Sequence, residues 1–176
     1  MINKYRPRII DGELSIRLKS IGAIVLEGAK WCGKSTTAEH HSNSVVFMDD
    51  PRKRSQYLIF AEDNPDMILN GETPRLIDEW QLVPMLWDAV RYTVDHRAGM
   101  GQFILTGSAK PADREKISHS GTGRFAWLRM RPMSLFESGD STGDVSLSKL
   151  FKNPGMPIGC EAKSDLQKIA FLICRG

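Results

Sequence analysis

The chain has only three cysteines in 176 residues, at positions 32, 160 and 174. They are widely spread and form no CxxC pair, which excludes a disulfide scaffold and a cysteine-rich zinc site and fits a reducing cytoplasm. No apolar run approaches the roughly 18–20 residues that a membrane-spanning helix needs. The N-terminal MINKYRPRII carries charge but no apolar stretch behind it, so it lacks the form of a secretory signal. Charge of one sign is missing too. Twenty-four Lys and Arg stand against 21 Asp and Glu, a net +3, far from the density of a polybasic nucleic-acid binder. There is no internal repeat and no low-complexity tract. What remains is an ordinary globular composition, 41% hydrophobic and 26% charged, with ample material for one core.

Short β-branched apolar runs alternate with amphipathic stretches. The first strand is read at Gly22–Glu27, followed by Ser44–Met48, Arg75–Asp78, Gln102–Thr106 and Arg124–Met130. Helices are expected at Gly12–Ser20, Ser35–His41, Arg52–Ala61, Pro65–Asn70 and Pro84–Arg97. The last has Leu86, Val90 and Val94 on one face and Gly99 as its stop. This alternation predicts an α/β domain with a mostly parallel sheet and helices on both faces. From Gly139 the texture turns polar and Gly/Ser-rich. The expected division is a domain over residues 1–138 and a linker with the start of a further region over 139–176, where Ser164–Cys174 reads as an apolar helix.

Gly28-Ala29-Lys30-Trp31-Cys32-Gly33-Lys34-Ser35 matches GxxxxGK[ST] and lies between a buried strand and a helix. That is the context a phosphate-binding loop requires. The two glycines let the backbone wrap with its N–H groups turned inward as an anion nest. Lys34 supplies a point charge for β/γ-phosphates, and the Ser35 hydroxyl is a hard oxygen ligand for Mg²⁺. The expected nucleotide contacts run from Gly28 to Ser35 and on to Thr36. Cys32 is either a thiol activated by the loop or filler, and Trp31 either meets the base or lies on the surface. His40 and His41 point about 100° apart on a helix and do not readily face one ion.

Asp78 ends the apolar strand Arg75–Asp78 and Glu79 follows it, 44 residues after Lys34 with the strand Ser44–Met48 between. Asp78 is placed to hold Mg²⁺ through water, and Glu79 to polarise the water that attacks a γ-phosphate. Thr106 and Ser108, at the end of QFILTGS, offer hydroxyls that can sense that phosphate. Residues 110–131 hold Lys110, Arg114, Lys116, Arg124, Arg129 and Arg131 against Asp113 and Glu115. Gly121-Thr122-Gly123-Arg124 presents one arginine on a flexible stretch, suited either to a phosphoryl-transfer transition state or to a nucleic-acid backbone.

Five motifs in this order, Tyr5-Arg6-Pro7-Arg8, GAKWCGKST, RLIDEWQ, FILTGSA and GRFAWLRMRPMSLFES, resemble the prokaryotic AAA-type ATPases whose full chains carry a C-terminal domain of unknown function. The resemblance covers about residues 4–139. It implies the P-loop NTPase fold with a five-stranded sheet of AAA/ASCE type, in which the sensor strand lies between the loop strand and the Asp-Glu strand. It also implies ATP and Mg²⁺ as cofactors. Gly28–Ser35 then matches Walker A, Asp78 and Glu79 match Walker B and the catalytic base, Thr106 and Ser108 share the sensor position, and Arg124 matches an arginine finger or sensor arginine. Lys30 stands where such proteins usually carry Arg.

The reading that follows is an ATP-hydrolysing regulatory or switch domain of the cytoplasm, with no membrane partner and with homo-oligomer contacts through Arg124. A small-molecule P-loop kinase shares the loop, but no lid or acceptor pocket is evident for it. A non-enzymatic module, gated by nucleotide and binding a partner or DNA through residues 110–131, is the other alternative. Because such proteins run to several hundred residues, the chain is expected to be part of a longer one, binding nucleotide better than it hydrolyses it.

Overall fold

The computed structural model describes residues 5–108, 121–159 and 165–175. Five strands, β1 (Ala23–Gly28), β2 (Ser44–Phe47), β3 (Arg75–Asp78), β4 (Phe103–Ser108) and β5 (Phe125–Met130), form one sheet in the order β2-β3-β4-β1-β5. Every neighbouring pair is parallel. The expected α/β sheet is therefore present, and β4 lies between β1 and β3 as the family resemblance implies. Register fixes the two edges. Ala23 sits opposite both Phe103 and Phe125, and Gly28 opposite both Ser108 and Met130. All strands start on one edge and end on the other.

The central strands read as continuous apolar runs because both sheet faces are covered. Side chains alternate between two cores. Val25, Val46, Ile77, Phe103 and Leu105 pack with Ile68, Leu86, Trp87 and Val90 on one face. These come from α4 (Asp66–Leu69) and α5 (Leu86–His96), while Ala61 of α3 (Arg54–Asp63) joins the same layer. Ile24, Leu26, Leu76, Ile104 and Leu128 face the other way, onto Leu14 of α1 (Ile10–Leu18) and Ala38 of α2 (Lys34–His40). Leu76 and Ile104 are wholly buried, so truncating either to alanine costs about 2–5 kcal/mol.

The chain divides into two compact units, residues 1–132 and 133–176. The second contains α6 (Leu135–Ser138), α7 (Leu147–Lys152) and α8 (Leu166–Arg175). A capping box opens α6: the Ser134 hydroxyl accepts from the Glu137 N–H, and the Glu137 carboxylate accepts from the Ser134 N–H. Helix α7 falls in the stretch read from sequence as linker and the start of a further region. Ser146 caps it by accepting from the Lys149 N–H, a local signal that the polar composition around it masks. Within this unit Lys168 Nζ pairs with Asp140 at 2.8 Å. The element boundaries elsewhere differ from the sequence reading by a few residues, as fraying ends do.

Candidate functional site

The site lies where β1, β3 and β4 end, the edge at which open α/β sheets bind ligands. Gly28 closes β1 and must be glycine: a Cβ there would lie 2.3 Å from the Met130 carbonyl of β5. The chain then turns through Ala29–Gly33 into α2. Gly33 takes a left-handed φ of 96°, and Trp31 does so as well at 65°. A non-glycine residue in that region is uncommon and marks a backbone that its surroundings over-determine. Lys34 is buried, and its ammonium donates to the Gly28 carbonyl at 3.0 Å and to the Ala29 carbonyl at 2.9 Å. The charge is thus held within the loop by its own backbone. Ser35 and Thr36 follow in the first turn of α2.

Of the remaining loop residues, Ala29 and Lys30 are exposed. Trp31 is 92% exposed, with Lys30 Nζ 5.5 Å from its ring centroid. Cys32 belongs to the apolar layer beneath the loop, with Sγ 3.7 Å from the Met130 carbonyl. It anchors the loop as a core residue. His40 stacks on Tyr5 at 3.9 Å, and His41 Nε2 lies 3.3 Å from Asp11 Oδ1, so each histidine has a partner of its own.

The acids stand beside this loop on the strand beyond β4. Asp78 is buried at the end of β3, and its carboxylate accepts a short hydrogen bond from the Thr106 hydroxyl. The same hydroxyl oxygen accepts from the Glu79 backbone N–H at 3.2 Å. Thr106 therefore joins both acids from the strand between them and the loop. Glu79 has a left-handed φ of 55°, which turns its side chain out of the strand's alternation. Helix α2 packs against β1, β3 and β4, so Ser35 in its first turn and Asp78 occupy the same edge. Their hard oxygen atoms are the donor set that suits Mg²⁺. Ser108 ends β4 opposite Gly28.

Arg124 is not brought to this site. It immediately precedes β5, six residues and about 20 Å of parallel strand from the edge where Met130 ends. Its Nε donates to Asp95 of α5 at 2.6 Å, and the pair lies at the opposite edge of the sheet. A role in the same subunit's phosphate site is geometrically excluded. Residues 110–120 of the basic segment, with Lys110, Arg114 and Lys116, lie outside the described residues.

Two contacts escaped the sequence reading. The Gln81 amide donates to the Glu79 carboxylate in a short hydrogen bond. Arg8, noted in sequence only within the Tyr5–Arg8 motif, donates to the Cys32 carbonyl in the loop. A polar Gln in the otherwise apolar turn Trp80–Leu82 was the only local sign of the first.

A parallel sheet ending in a glycine-bounded loop with a buried lysine, next to a strand ending in two acids, defines a P-loop NTPase domain. The AAA domain family model matches residues 20–138, well over half of the chain. The chain belongs to that family of nucleotide-binding, ATPase-like domains. No curated protein matches it. Among the described residues no helix is long and apolar enough to cross a membrane.

Proposed function

We propose that this domain binds ATP with Mg²⁺ and hydrolyses it to ADP and phosphate, as a switch whose nucleotide state is read by a partner. The observation that carries the reading is the Thr106 hydroxyl, which links Asp78 and Glu79 one strand away from the Lys34 loop. On binding, Lys34 exchanges its two carbonyl acceptors for β/γ-phosphate oxygens, and the inward N–H groups of the loop take the rest. Ser35 and, through water, Asp78 are the residues that would hold Mg²⁺, which supplies charge neutralisation at the β- and γ-phosphates. Glu79 accepts a proton from water as the water oxygen attacks the γ-phosphorus and the bond to the β–γ bridging oxygen breaks. On this reading Thr106, acting through its bond to Asp78, and Ser108 at the end of the same strand report the γ-phosphate to β4. Arg124 acts, on this reading, on the nucleotide of a neighbouring copy.

Two acids favour water as the acceptor over a kinase substrate. The test is a phosphate-release assay run with and without small-molecule acceptors, on the wild-type chain and on Lys34→Ala. Release without an acceptor, lost together with nucleotide binding in Lys34→Ala, is expected. Unchanged affinity for a fluorescent ATP analogue in Lys34→Ala would sink the loop assignment. A salt-dependent DNA titration separates the non-enzymatic alternative.

A further inference from the structure

The phosphate loop is held from its buried side by the stretch of chain before α1. Arg8 is 8% exposed, and it donates from Nη1 to the Cys32 carbonyl at 2.8 Å and from Nη2 to the Arg131 carbonyl at 2.9 Å. Its fork therefore joins the loop to the residue that directly follows β5. The approach is close: a Cβ on Gly33 would stand 3.1 Å from Arg8 Nη1. Arg8 is in turn fixed by its own backbone N–H, which donates to Asp11 Oδ2 at 2.7 Å. Asp11 Oδ1 accepts from the Tyr5 hydroxyl at 2.7 Å, and the oxygen of Tyr5 lies 3.3 Å from Thr37 Oγ1 on α2. Burial pushes the Tyr5 hydroxyl up to about 12, so it stays a donor at neutral pH.

The orientation of one peptide follows from this. Among the described residues only Thr73–Pro74 is cis, so the Cys32–Gly33 peptide is trans, with its C=O and N–H pointing in opposite directions. Holding the Cys32 carbonyl against the buried guanidinium aims the Gly33 N–H away from the buried side of the loop. Glycine at 33 leaves that peptide free to rotate if nothing holds it. We infer that Arg8 is a positioning residue for phosphate: it locks the Cys32–Gly33 peptide so that the Gly33 N–H is presented to a nucleotide, and it ties the loop to the exit of β5. The inference rests on the nucleotide reading above. A lysine is a poorer substitute, because it lacks the fixed planar fork that here sends one nitrogen to the loop and the other to the residue after β5.

The test is titration of the full chain and its Arg8→Lys and Arg8→Ala variants with ADP carrying an N-methylanthraniloyl fluorophore, alongside thermal unfolding without nucleotide. Arg8→Lys is expected to unfold within a few degrees of wild type yet bind the probe about tenfold more weakly, the worth of one lost charge-assisted hydrogen bond. Millimolar guanidinium is expected to restore affinity to Arg8→Ala, which a loss of general stability would not allow. If Arg8→Ala does not fold, Arg8→Lys decides alone. Wild-type affinity in a folded Arg8→Lys overturns this inference and leaves the nucleotide reading standing. No probe binding by the wild-type chain overturns the nucleotide reading, and this one with it.

Discussion

The Gln81 side-chain amide donates to the Glu79 carboxylate, and its own carbonyl oxygen is buried with no partner among the described residues. A carboxylate only accepts, so the nitrogen must be the atom that faces it. The bond stabilises the ionised carboxylate and so lowers its basicity, while Oε1 stays outside it to take a proton from water. Glu79→Gln is expected to keep ATP affinity while slowing phosphate release by about 10²-fold or more, the usual worth of a general base. Gln81→Ala is expected to raise turnover roughly two- to tenfold at unchanged affinity, the range of one net hydrogen bond. Steady-state phosphate release against ATP concentration reads both. A fall in turnover for Gln81→Ala would mean that the amide aims Glu79 rather than restraining it.

Thr106 has no exposed surface and serves two partners, so its removal acts on stability and chemistry together. Thr106→Val keeps the shape and deletes the hydroxyl, leaving the Asp78 carboxylate and the Glu79 N–H each short of one partner. The expected loss is about 1–3 kcal/mol, measured as a shift of the urea midpoint. Turnover should fall with it. Thr106→Ser, which keeps the oxygen, is expected to recover most of both; failure to recover would place the effect in packing.

Much of this arrangement is legible in the amino-acid sequence alone. The centres of GAIVLE, RLID and QFILT are apolar because their strands are covered on both faces, and the glycine loop and acid pair stand at the ends of the first two. The strand order follows only from the family resemblance, since apolar periodicity carries no information about which strand neighbours which. The placement of Arg124 is not legible in isolation. Its glycine-rich approach suggests mobility near a phosphate, and its place at the far edge follows only once β5 is known to run parallel beside β1. Arg8 and Arg131 are 123 positions apart, and a side chain reaching a distant carbonyl leaves no periodic trace. Helix α7 is hidden differently, as one short helix of six residues within a polar stretch.

The cluster around Asp11 makes stability depend on acid. Burial pulls the Asp11 carboxyl upward, but hydrogen bonds from the Arg8 N–H, the Tyr5 hydroxyl and His41 outweigh it and hold the group below the ordinary aspartate range. A carboxyl whose folded value is depressed contributes stability above its unfolded value, and that contribution is lost as pH falls through the folded one. The unfolding midpoint of the wild-type chain should therefore drop on going below about pH 4, and less steeply in Asp11→Asn. Because the group is partly solvated, the difference between the two proteins is expected to be small but of this sign. Parallel curves for the two proteins down to pH 3 would remove Asp11 from the acid response.

Arg124 offers the sharpest separation of roles. It sits at the edge of the sheet opposite Lys34, paired with Asp95 at 2.6 Å, and its side chain is about half exposed. Exposed pairs of this kind contribute little to stability, so Arg124→Ala is expected to leave the unfolding midpoint nearly unchanged. Since the strand length forbids contact with its own subunit's phosphates, any catalytic effect must come through a second copy. Arg124→Ala should then slow turnover without weakening ATP binding, and Asp95→Ala should not, because it frees the guanidinium rather than removing it. Mixing Arg124→Ala with Glu79→Gln pairs an intact Glu79 from one copy with an intact Arg124 from the other. Recovery of phosphate release at intermediate mixing ratios is the expected result. Turnover that stays flat at every ratio, with both variants folded and binding ATP, would assign Arg124 to the Asp95 pair alone.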